Sequence, residues 1–199
     1  MLTERQQEIL EHAITLISEK GIQGLTMKNL SKRLGISEPA IYRHYENKID
    51  ILVSLLDYFT SNTSGIFRDE KHQDLPVIDR LKIVFNKHFE TFESTPALVA
   101  VVFSEEIFRN EAVLSNKVKL IMERNAASIV AILDEGKRKG EIPQSLNTEQ
   151  LTTIFMGSLR LLVKRWQMCN FDFDLKQEGD ALFETLNQLV NFKSKNYGN

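Results

Sequence analysis

Cysteine is almost absent from this chain. Cys169 is the only one, which rules out an intramolecular disulfide and a cysteine-rich metal site. Such a lone thiol is expected to be buried and inert, free cysteine being among the most buried residue types. Long hydrophobic runs are missing as well. The longest, Ala97 to Phe103, spans seven residues, far short of the ~20 that a membrane-spanning helix needs. The first ten residues, MLTERQQEIL, carry charge from the start and lack the apolar stretch of a secretory signal. A cytoplasmic protein with no membrane partner is expected. Charge of one sign is not in excess either. A net −2 over 199 residues excludes a sequence-blind polycation and leaves a site-specific reader of DNA open. No phosphate-binding glycine loop, dinucleotide fingerprint, G-x-S-x-G elbow or H-E-x-x-H pair occurs. His12, His44, His72 and His88 are dispersed without metal-ligand spacing. Neither an enzyme nor a metal or other cofactor is expected.

What remains is an ordinary globular composition, 42% hydrophobic and 26% charged, long enough to bury a core. No stretch alternates with period two for long enough to argue a sheet. Residues 3–20 read as an amphipathic helix with Ile9, Ala13, Leu16 and Ile17 on one side and Lys20-Gly21 as its stop. A further helix begins at Glu46 or Asn47 and runs to about Phe67. Body helices follow over about 76–94, 96–108, 111–138, 148–169 and 175–192, punctuated by Pro76, Pro96, Pro143, Gly136 and Gly140. All 12 phenylalanines lie at Phe59 or later, a composition shift that supports two parts. The basic run Lys137-Arg138-Lys139 reads as a solvated helix end that complements the dipole.

The most informative stretch is Leu25 to Lys48, LTMKNLSKRLGISEPAIYRHYENK. Thr26 is a preferred N-cap, with Leu25 before it and Leu30 placed for a hydrophobic staple. Met27, Leu30 and Leu34 form one apolar stripe, and Gly35 ends the helix. Ser37 is placed to cap a second helix, with Pro39 in its first turn and Ile36 and Ile41 repeating the staple. Two short helices about a tight glycine turn make a helix-turn-helix. Ile41 and Tyr45 face inward. Glu38, Pro39, Ala40, Tyr42, Arg43 and His44 are left outward or at the N-terminal end, the end with which a recognition helix reads base edges.

These residues resemble the DNA-binding signature of the TetR family of bacterial transcription regulators. The matching elements are Thr26, then Gly35-Ile36-Ser37, then Ile41-Tyr42-Arg43-His44-Tyr45, then Lys48, with Tyr45 where the family more often has Phe. The resemblance implies an all-α protein. Its N-terminal three-helix helix-turn-helix domain would cover residues 1–48, and its helical effector-binding and dimerisation domain 49–199. It implies a homodimeric repressor on a palindromic double-stranded operator, released by a small effector. Thr26, Lys28, Tyr42, His44 and Lys48 are then expected on phosphates, with Ser37 beside them. Pro39, Ala40 and Arg43 are expected on base edges, Arg43 forking onto a guanine. Glu38 either accepts from a cytosine amino group or, the favoured reading, complements the helix start.

In the body, Phe85, Phe89, Phe92, Phe103, Phe108, Met122, Phe155 and Met156 are core or cavity-lining at helical spacing. The resemblance favours some of them touching an effector, which the Phe-rich composition suggests is apolar. His88, Glu105 and Arg160 are candidate polar anchors. On 148–169 the apolar stripe is Leu151, Ile154, Phe155, Ser158, Leu159, Leu162 and Trp166, with Gly157 allowing close approach. On 175–192 it is Leu182, Phe183, Leu186, Leu189 and Val190. Such stripes serve a chain's own core or a four-helix dimer interface, and the resemblance points to the dimer. The alternative function is a DNA-binding protein of the same fold with no small ligand, controlled by a protein partner.

Overall fold

The computed structural model describes residues 2–65, 72–104 and 110–190. Among them all regular structure is helical, in nine helices: α1 (Glu4–Gly24), α2 (Met27–Leu34), α3 (Glu38–Tyr42), α4 (Lys48–Ser64), α5 (Val77–Ser94), α6 (Ala97–Val102), α7 (Ala112–Lys139), α8 (Thr148–Met168) and α9 (Leu175–Val190). The body helices match their expected ranges closely except the second. There α6 stops at Val102, because Phe103 leaves helical geometry (φ −115°, ψ 21°). Phe67, Glu105, Phe108 and residues 191–192, on which other expectations fell, lie outside the described residues.

Two compact units emerge. The first comprises Met1–Thr63 and Thr91–Met122, the second Ser64–Glu90 and Glu123–Asn199. Residue 48, where the division into two parts was expected, is the first residue of α4.

In the first unit, α1 buries Ile9, Leu10, Ala13, Leu16 and Ile17. Fully burying one such aliphatic side chain stabilises by about 1.5–3 kcal/mol before chain entropy is counted. Thr3 caps α1 in a reciprocal box with Gln6, and Gly21 (φ 66°, ψ −179°) breaks the regular run at the stop expected there. α6 packs against α1 with Ala97, Leu98, Val99, Val101 and Val102 all buried. α4 starts at a cap made by Asn47, whose Oδ1 accepts from the backbone N–H groups of Ile49 (2.7 Å) and Asp50 (3.1 Å). Its inner face is Ile51, Leu52, Leu55, Leu56 and Phe59.

The core of the second unit contains an aromatic cluster among aliphatic side chains. Phe85 meets Phe89, Phe155 and Phe183 edge-on, with centroids 6.1, 5.8 and 5.4 Å away. Each such pair contributes about 0.5–1.5 kcal/mol beyond its buried area. α9 approaches this cluster through Gly179, where a Cβ would stand 2.3 Å from Cε2 of Phe89. Lys82 pairs with Asp180 (3.3 Å) and Glu184 (3.2 Å) beside it. The basic run at the end of α7 is mostly occupied. Lys137 donates to the Leu146 carbonyl and Lys139 pairs with Glu135 at 2.8 Å.

One expectation is corrected here. Cys169 is exposed, not buried. It follows the last residue of α8 and precedes Asn170 (φ 53°) and Phe171 (φ 63°), which leave helical geometry. The stripes on α8 and α9 divide. Leu151, Phe155, Leu162, Trp166, Phe183, Leu186 and Val190 are buried within the chain itself. Ile154, Leu161, Met168 and Leu189 are exposed, at 50, 71, 76 and 65%.

Candidate nucleic-acid interface

The helix-turn-helix is assembled by local signals that the side chains spell out one by one. Thr26 sits in extended geometry, and its hydroxyl accepts from the Asn29 N–H at 3.0 Å. α2 then runs for eight residues, ending at Gly35 in the left-handed conformation (φ 67°, ψ 27°). Lys32 and Arg33 occupy its last turn, where cations complement the dipole. Ile36 turns back to hydrogen-bond the Ser31 carbonyl at 3.1 Å, and α3 begins with Glu38 and Pro39 in its first turn. Ser37 occupies the N-cap position as expected, but its hydroxyl makes no cap hydrogen bond.

α3 is five residues long, far below the ~12–15 at which a helix holds itself in water. Its orientation is therefore set by what it buries. Ile41 is fully buried and Tyr45 nearly so, as their spacing required, and α3 packs against α2, which in turn packs against α1. Burial also raises the Tyr45 hydroxyl above its ordinary value, so it stays a proton donor. It donates to the Gln6 carbonyl at 3.4 Å.

The opposite side presents the candidate contacts. Thr26, Lys28, Ser37, Pro39, Tyr42 and Arg43 are exposed, and Glu38, Ala40, His44 and Lys48 are half-buried. Tyr42 is 48% exposed, high for an aromatic ring four residues from the helix start. Arg5 and Arg33 are engaged by Glu8 and Glu19. Lys28, Lys32 and Arg43 form no ion pair with another described residue, so their charge is available to an anionic partner. Lys48 has a second task that its sequence position did not reveal. Its Nζ donates to the Ile22 carbonyl at 3.1 Å, tying the start of α4 to the end of α1.

The effector candidates separate into two groups. Phe85, Phe89 and Phe155 stand together in the second unit with Phe183, which sequence reasoning had placed on the dimer stripe. Met156 is half-buried beside Phe155 in sequence. Phe92 belongs to the first unit, between Phe59 (5.3 Å) and Phe103 (5.6 Å). Met122 is 42% exposed. His88 is buried on α5, its Nδ1 2.8 Å from the Val84 carbonyl and its Nε2 3.5 Å from the Asn125 amide. Burial lowers its pKa and the carbonyl opposes that shift, so the ring is neutral with Nδ1 as donor.

A capped helix, a left-handed glycine turn and a short second helix with polar groups outward define a helix-turn-helix DNA-binding protein. Comparison with known proteins gives the family. Residues 9–55 match the model of bacterial regulatory proteins of the tetR family, and residues 62–189 match the YsiA-like protein C-terminal region. The chain belongs to the TetR family: it is a transcription regulator and not an enzyme. It is 25% identical over 186 residues to the fatty acid metabolism regulator protein of Bacillus subtilis, covering 92% of this chain and 93% of that one. It is 28% identical over 170 residues to the nucleoid occlusion factor SlmA of Vibrio cholerae, covering 80% and 84%. The structure of the transcriptional regulator FadR from Bacillus subtilis in complex with stearoyl-CoA superposes with a TM-score of 0.77. The identity there is 25%, over 93% of this chain and 97% of that one. No helix of the described residues is long and apolar enough to cross a membrane.

Proposed function

We propose that the chain is a cytoplasmic homodimeric repressor that binds a roughly palindromic operator and is released by a long-chain acyl effector of the acyl-CoA kind. The observation that carries the DNA half is the division of α2 and α3 into a buried face and an exposed one. Leu30, Ile41 and Tyr45 lie inside, while Thr26, Lys28, Tyr42 and Arg43 lie outside. In this reading residues 1–48 are the reading head and 49–199 the regulatory body. Two heads stand about one DNA turn, ~34 Å, apart. The exposed Ile154, Leu161 and Met168, spaced by seven along α8, supply with Leu189 of α9 the apolar contact between protomers.

The effector class follows from the relative solved with stearoyl-CoA and agrees with the Phe-rich body. Each unit offers a candidate face for the acyl chain, Phe92 and Phe103 in the first and Phe85, Phe89, Phe155 and Met156 in the second. The effector must bind the DNA-incompetent head spacing better than the competent one, or it shifts nothing.

The test is operator selection from random DNA, followed by titration of the complex with stearoyl-CoA, free stearate and CoA. Release by the acyl thioester alone is expected. The same ligand should stabilise the free protein by ~2.7 kcal/mol at 100 times its Kd. Operator binding that no acyl compound disturbs would overturn the effector half. The second reading, a protein-controlled DNA binder with no small ligand, would then stand. Its support is the 28% likeness to a protein named for nucleoid occlusion rather than for a metabolite.

A further inference from the structure

The first turn of α1 lies outside every motif that points to DNA, yet it holds the end of the reading helix. Gln6 is the third residue of α1, and beyond the helix ladder it takes part in five hydrogen bonds, one of them from the Thr3 hydroxyl to its Oε1 (3.3 Å). Its backbone N–H donates to the Thr3 hydroxyl (3.2 Å), and its side-chain Oε1 accepts from the Thr3 N–H (3.0 Å), closing the capping box. The other end of the same amide, Nε2, donates to the carbonyl of His44 at 3.3 Å. Its own carbonyl accepts from the Tyr45 hydroxyl at 3.4 Å. The amide cannot be turned around. Oε1 faces a donor and Nε2 faces an acceptor, so exchanging them would break both contacts.

His44 lies just past α3, where helical carbonyls run out of backbone partners. α3 is too short to hold its own axis, and its N-cap hydroxyl contributes no hydrogen bond. Two groups of Gln6 therefore fasten the C-terminal end of the segment that carries Tyr42 and Arg43. We propose that Gln6 is a positioning residue for sequence reading, acting through His44 and Tyr45 without touching DNA itself. This rests on the reading of α3 as the recognition helix.

One substitution separates positioning from helix capping. Gln6→Glu keeps the capping box, since Glu serves at this position as well as Gln, but a carboxylate has no N–H for the His44 carbonyl. Thr3→Ala does the reverse, weakening the cap and leaving Nε2 in place. The readout is the ratio of affinities for the selected operator and for a scrambled duplex, with thermal midpoints measured alongside. Taking the ratio cancels the repulsion that the added charge feels from any DNA. Gln6→Glu is expected to lower the ratio by about threefold to tenfold with an unchanged midpoint, the range set by one lost hydrogen bond. Gln6→Met should lower both ratio and midpoint, and Thr3→Ala the midpoint alone. A ratio unchanged in Gln6→Glu, while Arg43→Ala lowers it, would overturn the positioning role and leave the recognition helix standing. A ratio unchanged in Arg43→Ala as well, or a wild type that selects no operator, would overturn both.

Discussion

The reading head and the aromatic cluster of the second unit solve opposite problems. α3 has five residues, buries only Ile41 within its bounds and presents polar side chains to solvent. The cluster of Phe85, Phe89, Phe155 and Phe183 buries all four rings to 2% exposure or less and has no polar face at all. Stability therefore resides in one place and chemistry in the other. A helix too short to fold alone can carry exposed, exchangeable residues because its neighbours hold it. A ring at the centre of three others is not exchangeable in that sense.

The sharpest way to break this comparison is to remove a ring. Phe85→Ala empties the position that touches three other phenylalanines, and such truncations cost about 3–5 kcal/mol. Urea unfolding should show that loss, while the fraction that remains folded binds operator as before. A cost below about 1 kcal/mol would mean that the cluster is loosely packed, which would strengthen its candidacy as an effector site.

Arg43→Ala should give the mirror image. The side chain is exposed, follows α3 directly and makes no ion pair with another described residue. Surface truncations of this kind stay within about 0.5 kcal/mol in stability. A lost fork to guanine costs about 1–3 kcal/mol in operator affinity and relaxes specificity at one base pair. Equal losses against operator and scrambled DNA would move Arg43 from the base edges to the phosphates.

Thr26 belongs to both sides of the comparison, and its effect should be smaller. Its hydroxyl caps α2 through the Asn29 N–H and lies on the exposed face. Thr26→Ala is expected to cost about 1 kcal/mol of stability together with some operator affinity. Thr26→Ser keeps the hydroxyl and should restore both. A serine variant that recovers stability but not binding would show that the methyl group matters at the DNA.

The head was legible because its signals are local. A cap, a staple and a glycine stop act within a few residues, so Thr26, Gly35, Ile41 and Tyr45 could be placed from spacing alone. What escaped depended on partners distant in sequence. Nothing near Lys48 points to the Ile22 carbonyl, and nothing near Gln6 points to His44. Periodicity also found the apolar faces of α8 and α9 without saying what covers them. Leu162 and Phe183 turned inward within the chain, while Leu161 and Leu189 remained exposed. Cys169 was misread for a related reason. The turn beyond it is made by Asn170 and Phe171 with positive φ, where no glycine marked the end of α8.

Electrostatics in the second unit gives the smallest expected effect, and its sign can be worked out. Glu135 on α7 meets Lys139 one turn on at 2.8 Å and Arg80 of α5 at 2.7 Å. These two cations pull its carboxyl down from 4.5 to about 2, the Lys139 contact first and the Arg80 contact next. A carboxyl whose pKa is lower in the folded chain binds protons less readily there than in the unfolded one. Its stabilising contribution is thus complete above pH ~4.5 and is lost as the pH falls toward 2. The side chain is one-quarter exposed, so solvent screens the pair and the contribution stays modest. Stability measured from pH 6 down to 2.5 should fall less steeply for Glu135→Gln than for the wild type. The two curves should converge at the acid end. Parallel curves through that window would mean that the carboxyl titrates alike in both states and that the ion pair contributes nothing to the fold.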